Sequence, residues 1–178
     1  EDPEQAVRQQ VYIRALRTLP EVTLIFGHFL SHKVRMRLAE SGDEIRYATV
    51  LKTEEKGSDV NLATHLVADA YEDAFEAAVI VSNDSDLSEA ARIVISRRKK
   101  KVGVINPHKN PSRELLKYMS FYKRIRKGVL KSCQLPPEME DEQGTFHRLP
   151  NVQHVALASG AAGLGIGREG RVAEEIAF

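Results

Sequence analysis

The sequence predicts an α/β protein with a mainly parallel sheet, and three observations support that fold class. The 178-residue chain is 42% hydrophobic and 29% charged, as is typical of a globular protein. Between residues 59 and 125, strand patterns alternate with helical patterns at the spacing of strand–helix–strand units. The segment Ala77–Val81 (AAVIV) is apolar throughout, which is typical of a parallel strand covered on both faces.

The first part of the chain predicts one helix followed by a long hairpin. Apolar residues about four apart predict a helix over 4–19, which Pro20 ends. A β-rich segment, 22–30, and an alternating segment, 44–51, predict two strands joined by a polar connection. The charged residues 53–58 are interpreted as a loop, and Ser58 is the candidate N-cap of a helix over 59–75.

The segments that follow predict the parallel sheet, and after residue 127 the composition becomes more polar and then rich in small residues. After the strand at 77–81 we expect a helix over 85–98, a strand over 101–105, a helix over 112–119 and a short strand over 121–125. Residues 128–150 are polar and contain proline, so they are interpreted as an exit segment of the domain formed by 1–127. Residues 151–178 are rich in glycine and alanine, and we expect a flexible tail there.

Charge is distributed very unevenly along the chain. Residues 53–89 contain ten acidic residues and one basic residue, whereas residues 97–131 contain thirteen basic residues and one acidic residue. Solvated helix faces account for most of these charges, but the order also suggests a cation site beside a polyanion track. The single Cys133 excludes a disulfide framework and a cysteine zinc cluster, and it fits a reducing compartment. With no apolar run near the roughly 20 residues of a membrane span, we expect a cytoplasmic protein.

Two acidic segments lie where open parallel sheets bind ligands. The segment 81–86 (VSNDSD) follows the apolar strand, so Asp84 and Asp86 are expected at its carboxyl end, beside the ligand crevice. The segment 52–59 (KTEEKGSD) ends with Asp59 at a helix N-terminus. Carboxylates that repel one another are brought together by a hard divalent cation, and a set of oxygen ligands favours Mg²⁺ or Mn²⁺.

Each of these residues also has a simpler explanation. Asp84 is a suitable helix cap, and Asp59 is a first-turn acid that the helix dipole favours. Glu54 and Glu55 are interpreted as solvent-exposed loop charges. The spacing of Asp84 and Asp86 also fits the D-x-D motif of a phosphatase or a sugar transferase. The pairing of the two acidic segments favours the metal site.

The two segments together resemble the NYN-domain proteins of the PIN-like nuclease superfamily. The shared pattern is E-K-G-x-D at the start of one helix and a hydrophobic strand that ends in S-x-D-S-D, and the resemblance runs from about residue 3 to about residue 150. It implies a three-layer α/β/α sandwich, an acidic cluster that binds Mg²⁺ or Mn²⁺, and cleavage of RNA, with single strands as the expected substrate. Carried over to this chain, Asp59, Asp84 and Asp86 are the expected metal ligands and catalytic residues.

Three further residues are expected to contact the substrate. Ser82 and Ser85 lie within the acidic loop, where hydroxyl or backbone N–H groups position water or phosphate. Arg113 starts a helix after a strand, so it is placed to bind a phosphate near the site. Contacts of this kind bind the nucleic-acid backbone and do not read its sequence.

The sequence departs from the resembling family at its N-terminus. Those proteins begin with a strand that carries D-G-x-N and supplies another ligand, and a second early strand lies with it in the middle of the sheet. Because nothing before Glu1 supplies them, we expect a truncated domain that is inactive or poorly folded by itself, with edges that favour a homo-oligomer. The alternative is a catalytically silent module that keeps the fold and binds nucleic acid or protein.

Overall fold

The N-terminal region begins with a helix that leads to a short strand. The structure is a computed structural model, and it describes residues 4–39, 45–148, 162–166 and 172–175. Helix α1 (Gln5–Arg17) precedes strand β1 (Val22–Ile25), and the buried face of the helix is formed by Ile13, Ala15 and Leu16. Within these described ranges, no helix is long and apolar enough to cross a lipid bilayer.

A long antiparallel hairpin follows, formed by β2 (His28–Arg37) and β3 (Tyr47–Lys56). Its ten residue pairs run without a break from His28 opposite Lys56 to Arg37 opposite Tyr47. The prediction of a single strand over 22–30 is therefore wrong, and so is the prediction of a loop over 53–58. These polar segments form strands because hydrogen bonds between the two strands continue along the whole hairpin. A two-stranded ribbon does not have to bury both faces, so it does not require a run of apolar residues.

The predicted parallel sheet is confirmed in the middle of the chain. Strand β4 (Ala77–Val81) pairs in parallel with β5 (Lys101–Asn106), which pairs in parallel with β6 (Phe121–Arg124). β5 is almost entirely buried, with Val102 and Val104 at 0% and 1% exposure. Its apolar sequence thus reflects cover on both faces, as expected for a parallel strand between helices.

Helices flank this parallel sheet, so the predicted α/β class is confirmed. Helix α2 (Ser58–Tyr71) begins one residue early, with Gly57 at the N-cap position that had been expected for Ser58. A 3-10 turn, Ser85–Leu87, precedes α3 (Ser88–Arg98), and α4 (Arg113–Leu116) is shorter than predicted. These helices and strands share one apolar core, whose fully buried members include Ala70, Leu87, Ala91, Val94 and Leu115.

The segment expected as a polar exit folds back onto the first helix. It contains α5 (Lys127–Ser132) and a hairpin of β7 (Glu138–Asp141) and β8 (Gly144–His147). Arg14 of α1 donates to both carboxylate oxygens of Asp141, at 2.8 and 2.7 Å, and its guanidinium lies 4.3 Å from the ring centroid of Phe146. The two ends of the described domain are therefore connected by one bidentate ion pair.

Two further strands come from the segment that was expected to be a flexible tail. The backbones of β9 (Ala162–Ile166) and β10 (Val172–Glu175) complete a six-stranded sheet in the order β1-β10-β9-β4-β5-β6. In these two stretches, β9 pairs with the edge of β4, whose backbone groups a neighbouring strand can satisfy. The expectation of a flexible tail over 151–178 stays a prediction. The proposed boundaries at 127 and 150 stay a prediction.

Two cations of the basic segment 97–101, which spans the end of α3, form contacts within the domain. The ammonium group of Lys100 is buried, where it donates to the carboxylate of Asp73 at 2.6 Å and to the backbone carbonyl of Phe75. Arg98 donates to the backbone carbonyl of Ala70 at 3.1 Å. These two cations are therefore committed to contacts inside the domain.

We expect Lys100→Ala to lower the free energy of unfolding by about 1–3 kcal/mol, because the buried carbonyl of Phe75 loses its donor. Urea denaturation measures the change. Lys101→Ala is the matched control, since the adjacent side chain is exposed and its loss should cost about 0.5 kcal/mol or less. Equal losses in the two variants would contradict a structural role for the Lys100 ammonium.

Candidate functional site

The candidate site lies at one edge of the parallel sheet. Because β4 and β5 run in parallel, the segments that follow Val81 and Asn106 leave the sheet at the same edge. The 3-10 turn that contains Asp86 packs there against α2, α3 and α4. The loop after β4 and the start of α2 are therefore neighbours in space, although more than twenty residues separate them along the chain.

Asp59 is the central carboxylate of this edge. Its side chain is half-buried, and no hydrogen-bond donor among the described residues reaches its buried Oδ1 atom. Burial raises the pKa of the Asp59 carboxyl, and the negative charges of Asp84, Glu55 and Asp86 raise it further. These four residues are called the acidic cluster below. The structure thus brings the three predicted metal ligands into one electrostatic environment.

Glu55 belongs to this cluster, although the sequence interpretation had made it a loop charge. Its Oε1 atom accepts hydrogen bonds from the hydroxyl of Ser58 at 2.7 Å and from the Ser58 backbone N–H at 3.2 Å. A side chain at Gly27 would place its Cβ 1.8 Å from that oxygen, so only glycine permits this approach. Gly57 has a φ of 103°, which lets the chain turn from β3 into α2 without strain. The E-K-G-x-D motif was the available signal in the sequence, but its first residue was interpreted as part of a loop and not as part of a strand.

The loop after β4 is shaped by its own polar side chains. The Asp84 carboxylate accepts from the backbone N–H of Asp86 at 2.9 Å, so the capping explanation of Asp84 is correct for the 3-10 turn. The hydroxyl of Ser82 is buried and accepts from the backbone N–H of Asp84 at 3.0 Å. Ser85 is exposed beside it. Substrate contact by Ser82 and Ser85 stays a prediction, and the described bond gives Ser82 a role in shaping the loop.

A second polar residue of this loop, Asn83, connects it to the next loop of the sheet. The side-chain oxygen of Asn83 accepts from Asn106 Nδ2 at 2.8 Å and from the backbone N–H of Ser112 at 2.7 Å. Asn106 ends β5 and is fully buried. Arg113 follows Ser112 as the first, exposed residue of α4, so Asn83 also sets the position of Arg113. The sequence interpretation did not single out either asparagine. The available signal was an amide side chain at the end of β5 and another two residues after the end of β4.

The chemistry of the cluster suits a hard cation. Its donors are all carboxylate oxygens, and the unpartnered Oδ1 of Asp59 is the kind of atom that a cation satisfies. Among the described residues, no group of three histidine, cysteine, aspartate or glutamate side chains lies close enough together to hold a metal ion. Asp84 instead directs its carboxylate to a backbone N–H, which offsets part of the repulsion between the like charges.

We expect Asp59→Asn to raise the thermal midpoint of the protein in metal-free buffer, and to raise it more at about pH 7 than at about pH 4. A raised pKa means that folded Asp59 keeps its proton at pH values where the unfolded chain has lost it. The native carboxyl therefore costs stability that grows as the pH rises from the unfolded pKa through the folded one. Thermal denaturation across a pH series measures this difference.

Asp69→Asn is the control for that comparison. Asp69 lies on the same helix, about 15 Å further along its axis, so the substitution removes one negative charge outside the acidic cluster. We expect a smaller change in the thermal midpoint with a weaker dependence on pH. If Asp59→Asn destabilises the protein at neutral pH, a favourable contact holds the carboxylate, and the claim that repulsion within the acidic cluster costs stability is wrong.

Comparison with known proteins yields a curated relative and a protein family. The sequence is similar to 6-hydroxy-3-succinoylpyridine 3-monooxygenase HspA of Pseudomonas putida, with 31% identity over 141 residues. That alignment covers 72% of this chain and 45% of the relative, so the chain spans about half the length of the relative. No solved structure matches the chain. The NYN domain matches residues 7–123, and the chain belongs to this family of the PIN-like nuclease superfamily.

Proposed function

We propose that this domain is a metal-dependent endoribonuclease that uses Mg²⁺ or Mn²⁺. The observation that carries the proposal is the buried Oδ1 of Asp59, which no donor of the described residues reaches and which lies among carboxylates of like charge. A fold that only needed stability would gain nothing from this arrangement, whereas a divalent cation turns repulsion into attraction. The NYN family supports the coarser part of the proposal, which is a nuclease-like activity.

Three residues of the acidic cluster are assigned to the cation in this proposal. Asp84 would hold it directly, and Asp59 and Asp86 would hold it directly or through water. Glu55 adds a fourth negative charge and, through Ser58, fixes the start of α2 that carries Asp59. A bound divalent cation lowers the pKa of a coordinated water and offsets the charge that develops on the scissile phosphate.

The remaining predicted residues are assigned to the substrate. Arg113 is exposed at the start of α4 and has no carboxylate partner among the described residues, so its guanidinium is free to bind a phosphate. Ser85 is exposed on the acidic loop and offers a hydroxyl to the substrate. Asn83 acts as a positioning residue, since its bonds to Asn106 and Ser112 set the distance between the acidic loop and Arg113.

The test is cleavage of a labelled single-stranded RNA in the presence of Mn²⁺ or Mg²⁺ by the full-length natural protein. We expect Asp84→Asn to reduce the cleavage rate by about 100-fold or more, because it removes a ligand charge from the cation. Asp69→Asn, outside the cluster, is expected to cleave at the unchanged rate. Mn²⁺ is also expected to raise the thermal midpoint of the natural protein and to raise that of Asp84→Asn less.

The outcome that contradicts this proposal is specific. If the protein binds the RNA but cleaves it with neither cation, the silent binding module replaces the nuclease. If cleavage survives in Asp84→Asn and Asp59→Asn alike, the acidic cluster is not the site of catalysis.

A second candidate comes from the sequence relative. Its name describes the monooxygenation of 6-hydroxy-3-succinoylpyridine, and the 31% identity makes oxidation of a hydroxypyridine the alternative activity. Such a reaction inserts one oxygen atom of O₂ and reduces the other to water, which requires a two-electron reductant. Incubation with this pyridine, ¹⁸O₂ and NADH, followed by mass spectrometry, therefore tests it: incorporation of one ¹⁸O atom into an organic product, with one NADH oxidised, supports the second candidate over the nuclease.

A further inference from the structure

The β2–β3 hairpin is a ribbon with two different faces. Its uninterrupted register places alternate residues on opposite faces. The hydroxyls of Ser31 and Thr53, which are opposite each other, are 2.7 Å apart, and this contact marks one face. Lys33, Arg35 and Arg37 follow on the same face at every second position of β2.

The opposite face of the ribbon pairs its two lysines with one carboxylate. Lys52, Glu54 and Lys56 alternate along β3, and Glu54 lies 2.5 Å from the ammonium of Lys52 and 3.4 Å from that of Lys56. These ion pairs lower the pKa of the Glu54 carboxyl. The cations of this face are therefore already partnered within the hairpin.

The cations on the Ser31 face have no such partners. Lys33, Arg35 and Arg37 are exposed, and none of them forms an ion pair with a carboxylate in the described part of the chain. The guanidinium of Arg35 lies 4.9 Å from the ring centroid of Tyr47, which is itself 52% exposed. This surface, made of Lys33, Arg35, Arg37 and Tyr47, is called the basic face below.

The basic face leads directly to the acidic cluster. Glu55 occupies the same face of β3 as Tyr47, because the two residues are eight positions apart. The row of cations thus begins about 13 Å from Glu55, opposite Leu51, and ends about 26 Å from it, opposite Tyr47, at roughly 3.3 Å per residue. The charge of Glu55 is one of three that raise the pKa of Asp59. A ligand lying along the ribbon would therefore have one end at the candidate site.

We propose that the basic face binds the backbone of a single-stranded RNA and leads the strand to the acidic cluster. The choice of RNA rests on the proposed function, whereas the choice of a polyanion rests on cations that have no carboxylate partner among the residues that the structure describes. Cations on every second residue recur about every 6.6 Å, which is similar to the phosphate repeat of an extended strand. Tyr47 supplies an exposed ring on which a base stacks, and such stacking is independent of sequence.

The test compares two double variants of equal charge on opposite faces of one hairpin. One is Arg35→Gln with Arg37→Gln, and the other is Lys52→Gln with Lys56→Gln. Binding of a labelled single-stranded RNA to the full chain is measured by fluorescence anisotropy in EDTA, over a range of salt concentrations. Since cleavage plays no part in this assay, its outcome is independent of whether the protein is a nuclease.

We expect the basic-face variant to weaken RNA binding about tenfold or more. It should also reduce the slope of log affinity against log salt by about 1.4, since each lost phosphate contact removes about 0.7. The control variant is expected to bind within about twofold of the natural chain. Equal thermal midpoints of the two variants show that both retain the fold.

Three results would overturn this inference. If both variants weaken binding equally, only net charge matters and the basic face has no special role. If neither variant changes binding, the RNA lies elsewhere. If the basic-face variant instead converts a dimer to a monomer at unchanged RNA affinity, the face is an interface between two copies of the chain. Face-dependent binding without any cleavage supports the inference and contradicts the proposed nuclease.

Discussion

The parallel pairing of β4 with β5 is the constraint on which the rest of this structure depends. It buries an apolar strand on both faces, and it makes the two strands end at one edge of the sheet. The buried amide of Asn106 then reaches Asn83 across that edge, at 2.8 Å. The pairing of β4 with β5 therefore positions the side chains of the core, and it also fixes the relative positions of the two loops that carry the candidate site.

The acidic cluster is an unfavourable arrangement that this core maintains. Burial and like charges raise the pKa of Asp59, so the ionised carboxylate is less stable in the folded protein than in water. Several local contacts hold the carboxylates in place, notably the bonds from Ser58 to Glu55 and from the Asp86 backbone to Asp84. Residues whose pKa is shifted at a cost in stability are often found at functional sites.

The two faces of the β2–β3 hairpin differ in how their charges are paired. Its ion-paired face carries Lys52, Glu54 and Lys56, whereas its basic face leaves Lys33, Arg35 and Arg37 without carboxylates among the described residues. The composition of this segment does not distinguish the two faces, because cations occur on both. Only the register of the two strands separates paired from unpaired charges, and it aligns the unpaired ones with Glu55.

The sequence by itself determined the α/β class and the parallel strands, because apolar strands are local patterns. It also predicted from short acidic motifs that Asp59, Asp84 and Asp86 form a metal site, and that assignment stays a prediction. It did not determine the extent of the hairpin or the part played by Glu55. Those depend on cross-strand hydrogen bonds and on the 1.8 Å approach permitted by Gly27. Nor did it reveal the asparagine contact, the burial of Lys100, or the strands β9 and β10. Each of these joins residues far apart in the chain, and only the tertiary structure decides which partners meet.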